Sequence, residues 1–189
     1  MTIAHRSSQA PSVVPIGGTT VRTDRQRLVL VGAGMPWHAK PLAELYRRLL
    51  PRTIWLRYGA PWRELPEPIV QSELRRVLGG DPQLSVTLVA SAESGEAVGV
   101  AELVQQASER AVAELALLVR DDYQREGLGL ALGRMLHAIA QARGVRQLRV
   151  YTLAENVAIV RLVRRLGAPY SAETRHGQMT IHIPIGQGL

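Results

Sequence analysis

One stretch near the middle of the chain restricts the possible fold more than any other. Residues 111–120 form a long apolar run, Gln-Arg-Glu-Gly-Leu-Gly follows at 124–129, and apolar residues then recur at helical spacing over 128–143. This order predicts a strand, a tight turn and a helix. The free backbone N–H groups at the start of such a helix, together with its positive end, bind a diphosphate.

Gly127 and Gly129 allow phosphate oxygens to approach the backbone of this turn, because glycine has no Cβ. Arg125 can add a charge-assisted hydrogen bond. The two glycines could also do no more than separate a strand from a helix. The long strand before them and the helical pattern after them favour the phosphate interpretation.

The rest of the chain alternates between strand and helix patterns, which predicts an α+β fold: one domain with a mixed central sheet and helices on both faces. Strands are predicted at 27–31, 84–90, 97–105, 111–120, 147–153, 170–175 and 179–185, and helices at 36–50, 69–78, 128–143 and 156–166, with one more helical turn at 53–58. Residues 1–25 lack an apolar period and are predicted to form a flexible arm. Residues 26–189 are then the folded domain.

The composition excludes several classes of protein. The chain has no cysteine, which removes disulfides, zinc–thiolate sites and thiol nucleophiles. It has no apolar run long enough for a membrane span and no secretory signal pattern, so we expect a soluble cytoplasmic protein without a membrane partner. Its five histidines show no metal-ligand spacing, and we expect no metal.

The basic residues of the chain are almost all arginines. The formal net charge is +7, and the basic residues are 22 arginines and one lysine, Lys40. A basic surface favours an anionic partner. The arginines are scattered without a dense run, so the sequence gives little support to nucleic acid as that partner.

Gln-Arg-x-Gly-x-Gly, after a strand that ends in Val-Arg-Asp-Asp, resembles the acetyl-CoA-binding motif of the GNAT acetyltransferase superfamily. The resemblance covers residues 26–185. It continues at Asn156, which opens a helix that ends in Leu-Gly at 166–167. In the family, such an asparagine lies near the pantetheine arm. Asn156 could equally be an N-cap, and the two roles can coexist.

Three segments look most similar to the bacterial Pat-type protein lysine acetyltransferases, namely Leu49–Tyr58, Val119–Gln124 and Leu162–Gly167. The resemblance implies transfer of an acetyl group from acetyl-CoA, as co-substrate, to an amine by direct attack. The implied acceptor is the side-chain amine of a protein lysine, for example in an acyl-CoA synthetase. A small-molecule amine (amino acid, polyamine or aminoglycoside) and a non-catalytic acyl-CoA sensor remain alternatives.

Glu114 is the predicted catalytic base. It is the only carboxylate in the apolar strand before the turn, where burial would raise its pKa toward the working range of a base. The resemblance points to the same residue. Glu102 on the preceding strand is the second candidate. A solvent-facing Glu114, or one paired with an arginine, is the structural alternative.

The resemblance also implies a set of acetyl-CoA-binding residues. In the strand before the turn, backbone groups are expected to bond the pantetheine amides. The set is Leu117, Leu118, Val119, Gln124, Arg125, Glu126, Gly127, Leu128, Gly129, Leu130 and Asn156. Many family members carry a proton-donating tyrosine seven residues after the helix-opening asparagine, but here that position is Val163. The general acid is then water or another side chain, with Tyr151 and Tyr170 as candidates, or it is absent.

Overall fold

The computed structural model describes residues 18–186, which form eight strands and five α-helices. The strands are β1 (Thr19–Arg22), β2 (Leu28–Ala33), β3 (Ser85–Ala92), β4 (Ala97–Gln106), β5 (Glu109–Val119), β6 (Gln147–Leu153), β7 (Ser171–Arg175) and β8 (Gln178–Pro184). The helices are α1 (Ala39–Arg47), α2 (Pro51–Tyr58), α3 (Glu67–Leu78), α4 (Leu128–Ala142) and α5 (Val157–Leu166). Short 3-10 turns at Pro36–His38 and Asp121–Tyr123 precede α1 and the turn at 124–129, which we call the phosphate turn.

All eight strands form one sheet, in the order β1-β2-β3-β4-β5-β6-β8-β7. Every neighbouring pair is antiparallel except β5 and β6, which are parallel. The β5–β6 register runs only from Val112↔Gln147 to Glu114↔Arg149. Because β5 continues to Val119 without this partner, the two strands diverge after Glu114. We call the resulting opening the cleft.

Helices cover both faces of the sheet, as predicted. Leu128, Leu132 and Leu136 of α4 pack in one buried cluster with β-strand residues, while α1, α2 and α3 pack in a second cluster on the other face. The strands between these layers are buried on both sides, which explains their nearly continuous apolar sequence. The predicted single-domain α+β fold with a mixed sheet is confirmed. Within residues 18–186, no helix is both long and apolar enough to cross a membrane.

The predicted arm at residues 1–25 is wrong at its C-terminal end. Thr19–Arg22 form β1, which pairs with β2 from Thr19↔Val31 to Arg22↔Leu28. Val21 packs against the buried cluster that contains the leucines of α4. This contact and the ladder hydrogen bonds with β2 hold the segment in a strand, although its composition is typical of a loop. The part of the predicted arm at residues 1–17 lies outside the described residues.

The helix predicted at 36–50 ends at Arg47, and Pro51, which follows the predicted helix, begins the next one. It occupies the first turn of α2, where the missing N–H of proline costs nothing. The start of α2 is fastened to the end of β5 by Asp121. The carboxylate accepts hydrogen bonds from Leu50 N (3.0 Å) and from Thr53 Oγ1 (2.5 Å). Asp121 therefore joins two of the segments that resemble Pat-type enzymes.

We expect Asp121→Ala to lower the free energy of unfolding by about 1–3 kcal/mol, because the variant loses hydrogen bonds to a charged acceptor. Urea unfolding checks this value. Glu93→Ala, which removes an exposed carboxylate from the turn between β3 and β4, is the control and should change little. In a double-mutant cycle with Thr53→Val, fully additive losses would contradict the coupling between these two side chains.

Candidate functional site

The cleft opens into a cavity of about 520 Å³. Its walls come from the C-terminal half of β5, the phosphate turn, the first turn of α4, the outer half of β6, one face of α5 and one face of α2. Cavities of this size hold small ligands and cofactors. The site therefore lies where the two parallel strands separate.

The phosphate turn at 124–129 leads into α4 through backbone conformations that few residues adopt. Arg125 (φ +60°) and Gly127 (φ +82°) are both in the left-handed region, which favours glycine at the second position. The first helical hydrogen bond runs from Ala131 N to Gly127 O (3.0 Å). The N–H groups of residues 128–130 precede it, so they lack intrahelical acceptors and are available to an anion at the helix end.

Gly129 has a second reason to be glycine. A Cβ at this position would lie 3.3 Å from Leu162 Cδ1 of α5, which is closer than most carbon contacts. The absence of a side chain therefore lets α5 approach the start of α4, in addition to leaving space for a ligand. Leu128 is fully buried in the core, so only its backbone can contact a ligand.

Glu126 was predicted to bind the cofactor, but its side chain points away from the cavity into a buried ion pair. Arg27, directly before β2, donates to it from Nε (3.1 Å) and Nη2 (2.5 Å), and Arg25 Nε lies 3.4 Å from Oε1. Asp24 N also donates to Glu126 O (3.0 Å). The hydrogen bonds from Arg27 lower the pKa of Glu126. This residue fastens the turn to the β1–β2 hairpin.

Gln124 lines the cavity, but its side-chain amide is used for positioning. Nε2 donates to Val119 O (3.0 Å) and lies 3.2 Å from Thr53 Oγ1. It therefore connects the turn to the end of β5 and to α2. Arg125 next to it is exposed and lines the cavity, as expected of a residue that contacts phosphate.

The backbone of β5 faces the cleft at alternate residues. Arg120 N donates to Val98 O of β4. Backbone N–H and C=O groups alternate in direction along a strand, so those of Leu118, two residues earlier, also point toward β4. The groups of Leu117 and Val119 point the other way, where β6 has diverged. The prediction that Leu118 bonds a ligand through its backbone is wrong for this reason, although the residue does line the cavity.

Asn156 is the N-cap of α5. Its Oδ1 accepts a hydrogen bond from Ile159 N (3.3 Å), and its Nδ2 donates to Thr152 Oγ1 (2.9 Å). Both ends of the amide are thus engaged within the protein, as the N-cap interpretation predicts. Asn156 also lines the cavity, so the helix that it caps is placed directly beside the site.

Glu114 is exposed, so the expectation that it is buried is wrong. It lies at the root of the cleft in the last β5–β6 register pair, and Ala116, the next residue on the same face, lines the cavity. Glu102 is instead the buried carboxylate, 4% exposed and ion-paired with Arg76. Burial raises the pKa of Glu102, but this residue does not line the cavity.

Of the two tyrosines considered as proton donors, only Tyr151 faces the site. It lies on β6, lines the cavity and is 55% exposed. Tyr170 accepts a hydrogen bond from Arg164 Nε (3.0 Å) outside the cavity. Val163 is buried in the core.

The sequence interpretation missed the arginines of the walls. Arg161 and Arg165 line the cavity from α5, together with Ala158 and Leu162. These four positions follow helical spacing, so an α5 face could have been read from the sequence. Arg57 of α2 also lines the cavity; only tertiary packing places it there. Among residues 18–186, no group of three or more histidine, aspartate or glutamate side chains could hold a metal ion.

Comparison with known proteins finds a matching family and a related acetyltransferase. A family model described as the acetyltransferase (GNAT) family matches residues 43–168. The acetyltransferase Pat of Mycolicibacterium smegmatis is 33% identical over 79 residues, which are 42% of this chain and 24% of that protein. The aligned segment thus spans about a quarter of that relative.

Two solved structures illustrate the shared fold. The GNAT domain of S. lividans PAT superposes with a TM-score of 0.77 at 21% identity, covering 88% of this chain and 96% of that one. Spermidine N-acetyltransferase from Vibrio cholerae, in complex with CoA and spermine, superposes with a TM-score of 0.64 at 14% identity, covering 83% and 95%. Both the GNAT domain of a PAT protein and a spermidine N-acetyltransferase therefore share the fold of this chain.

We expect Glu126→Gln to lower the free energy of unfolding at neutral pH and to weaken CoA binding, since the turn loses its ion pair. The pKa of Glu126 is depressed below its ordinary value of 4.5. Its stabilisation is therefore present above pH 4.5 and lost as the pH falls through the lower, folded-state pKa. Urea unfolding from pH 7 to pH 3 should show the wild-type advantage shrink with acid. Glu64→Gln, an exposed carboxylate, is the control; a constant advantage for wild type over Glu126→Gln would contradict the assignment.

Proposed function

The chain belongs to the acetyltransferase (GNAT) family, and on that premise we propose that it acetylates the side-chain amine of a lysine in a protein. Membership makes it an N-acetyltransferase that uses acetyl-CoA. The proposal concerns the acceptor and the residues that carry out the transfer. It draws on the walls of the cleft and on the sheet face beside it.

The residues of the cavity fit acetyl-CoA. The free N–H groups at the start of α4 and the guanidinium groups of Arg125, Arg161 and Arg165 match the phosphates of CoA in charge and hydrogen bonding. Leu117 presents unpaired backbone groups at the edge of β5, which suits the amides of the pantetheine arm. We propose that the acetyl group then lies toward the root of the cleft, near Glu114.

The observation that carries the acceptor proposal is an uncovered part of the sheet beside this root. Val104, Glu114 and Tyr151 project from the same face, as the register pairs of β4, β5 and β6 require. All three are exposed. A protein surface can therefore bring a lysine to the cleft. The relatives named Pat and the segments at 49–58 and 119–124, which contact each other through Asp121, support the same acceptor class.

In the proposed reaction the neutral lysine amine attacks the thioester carbon, so that a C–N bond forms and the C–S bond breaks. Glu114 accepts the proton that the amine loses. Glu114 lies two residues, about 7 Å, along the strand from Ala116 on the cavity wall. A water molecule bridges its carboxylate and the reacting amine. The departing thiolate receives a proton from Tyr151 or from water. Glu102, already bound to Arg76, is left in a positioning role.

The acceptor is tested by incubating the full chain with acetyl-CoA and measuring thiol release against two panels of acceptors. One panel contains folded proteins and lysine peptides, and the other contains amino acids, spermidine and aminoglycosides. We expect turnover with protein lysines, mapped by mass spectrometry. The enzyme carries one lysine of its own, Lys40, which keeps the self-acetylation background simple. Turnover confined to small amines would overturn the proposal.

We expect Glu114→Gln to lower kcat by about 100-fold or more, because a general base typically contributes at least that factor. The Kd for CoA should not change, since the side chain lies outside the cavity walls. Glu102→Gln serves as the comparison. It should lower the unfolding midpoint, because it leaves Arg76 beside a neutral group, and it should leave kcat nearly unchanged. If Glu102→Gln abolishes turnover in the folded enzyme and Glu114→Gln does not, the assignment of the base is wrong.

A further inference from the structure

The cavity walls carry charge of one sign. Of the residues that the structure describes, the ionised side chains lining the cavity are Arg57, Arg125, Arg161 and Arg165, and no carboxylate lines it. Three of these arginines belong to the phosphate turn and to α5. The phosphates of CoA account for their charge. Arg57 lies on α2, away from that group, and needs another explanation.

Arg57 lies over the part of β5 that leads to the root of the cleft. It forms an ion pair with Glu73 of α3, and Glu73 is bonded to Arg76, which in turn pairs with Glu102. Glu102 is the register partner of Ala116 on the cavity wall. This chain of contacts places Arg57 on the face of the sheet from which Glu114 projects, which is the acceptor side.

The positive charge of Arg57 is incompletely neutralised by its surroundings. Its Nη2 lies 3.8 Å from Glu73 Oε2, which is too long for a hydrogen bond. Glu73 is shared, because Arg76 Nη2 lies 2.7 Å from the same oxygen and Tyr46 Oη donates to it at 3.4 Å. The nearby Glu102 is occupied by Arg76. Within residues 18–186, the Arg57 guanidinium thus makes one long ion pair and no hydrogen bond to a carboxylate. Beside the hydroxyl of Tyr58, it keeps N–H groups for a ligand in the cavity.

We propose that Arg57 determines acceptor specificity by binding a carboxylate held close to the reacting amine. This inference rests on the proposed function: in a protein acceptor, the carboxylate is an aspartate or glutamate side chain beside the target lysine. A guanidinium presents paired donors that match a carboxylate in geometry as well as in charge.

The same charge disfavours polycations as acceptors. A second ammonium group beside the reacting amine, as in spermidine, would meet Arg57 without a carboxylate on the cavity wall to offset the repulsion. The chain should therefore differ in acceptor from the spermidine N-acetyltransferase whose fold it shares.

The test compares three lysine peptides that differ only in the residues flanking the lysine, which are acidic, amide or basic. For the wild-type chain we expect kcat/KM to be about 10- to 100-fold higher for the acidic than for the amide peptide, the range of a hydrogen-bonded charge pair. Arg57→Gln should remove this preference by raising KM for the acidic peptide alone. Arg57→Glu should reverse it in favour of the basic peptide, and this gain cannot result from misfolding.

Arg52→Gln is the matched control, because Arg52 is an exposed arginine of the same helix that pairs with Glu155 and does not line the cavity. It should keep the wild-type preference. A wild type that treats the three peptides alike would overturn the proposal. An Arg57→Gln variant with kcat lowered equally on all peptides would also overturn it, since that result would place Arg57 at the thioester carbonyl.

If no lysine peptide is acetylated but small amines are, the proposed protein acceptor fails, and the role of Arg57 is then decided separately. The same variants are assayed with an amino acid and with its carboxamide, which lacks the carboxylate. Loss of discrimination between these two in Arg57→Gln supports the role of Arg57. Equal use of both by the wild type overturns it.

Discussion

The ion pair between Arg27 and Glu126 is the contact on which the organisation of the site depends. It is buried at the glutamate end, and Arg27 also stacks on Tyr123, with its guanidinium carbon 3.3 Å from the ring centroid. The pair ties the first hairpin of the domain to a turn that lies about a hundred residues later in the chain. The free N–H groups at the start of α4 are held in place because this turn cannot move independently of the sheet edge.

A second set of contacts serves the opposite wall. Asp121 follows β5 directly and holds the start of α2, and Gln124 bonds both the end of β5 and Thr53. The phosphate turn and the start of α2, which form two walls of the cavity, are therefore both anchored at the C-terminal end of β5. Six consecutive residues, 119–124, thus position both the turn at the start of α4 and the start of α2, and they link the Pat-like segments at 49–58 and 119–124.

Local sequence pattern predicted seven of the eight described strands, the helices and the turn at 124–129, because periodicity and glycine position are properties of neighbouring residues. It failed where the outcome depends on partners distant in sequence. Glu114 looked buried, since both its neighbours are apolar, but β6 and the helices leave its face of the sheet open. The direction of the Leu118 backbone depends on pairing with β4, and the order of Thr19–Arg22 depends on β2. Arg57 reaches the cavity only through the packing of α2.

The divergence of β5 and β6 interrupts the sheet inside the domain, so that main-chain donors and acceptors of β5 face a gap. In the proposed binding mode, a pantetheine arm with two amides would complete the hydrogen-bond ladder there, in the place of a strand. Binding to the folded state alone raises stability by RT ln(1 + [L]/Kd), about 2.7 kcal/mol at a hundredfold excess over Kd. In this binding mode, the free energy of unfolding of the domain would rise with the concentration of its own co-substrate.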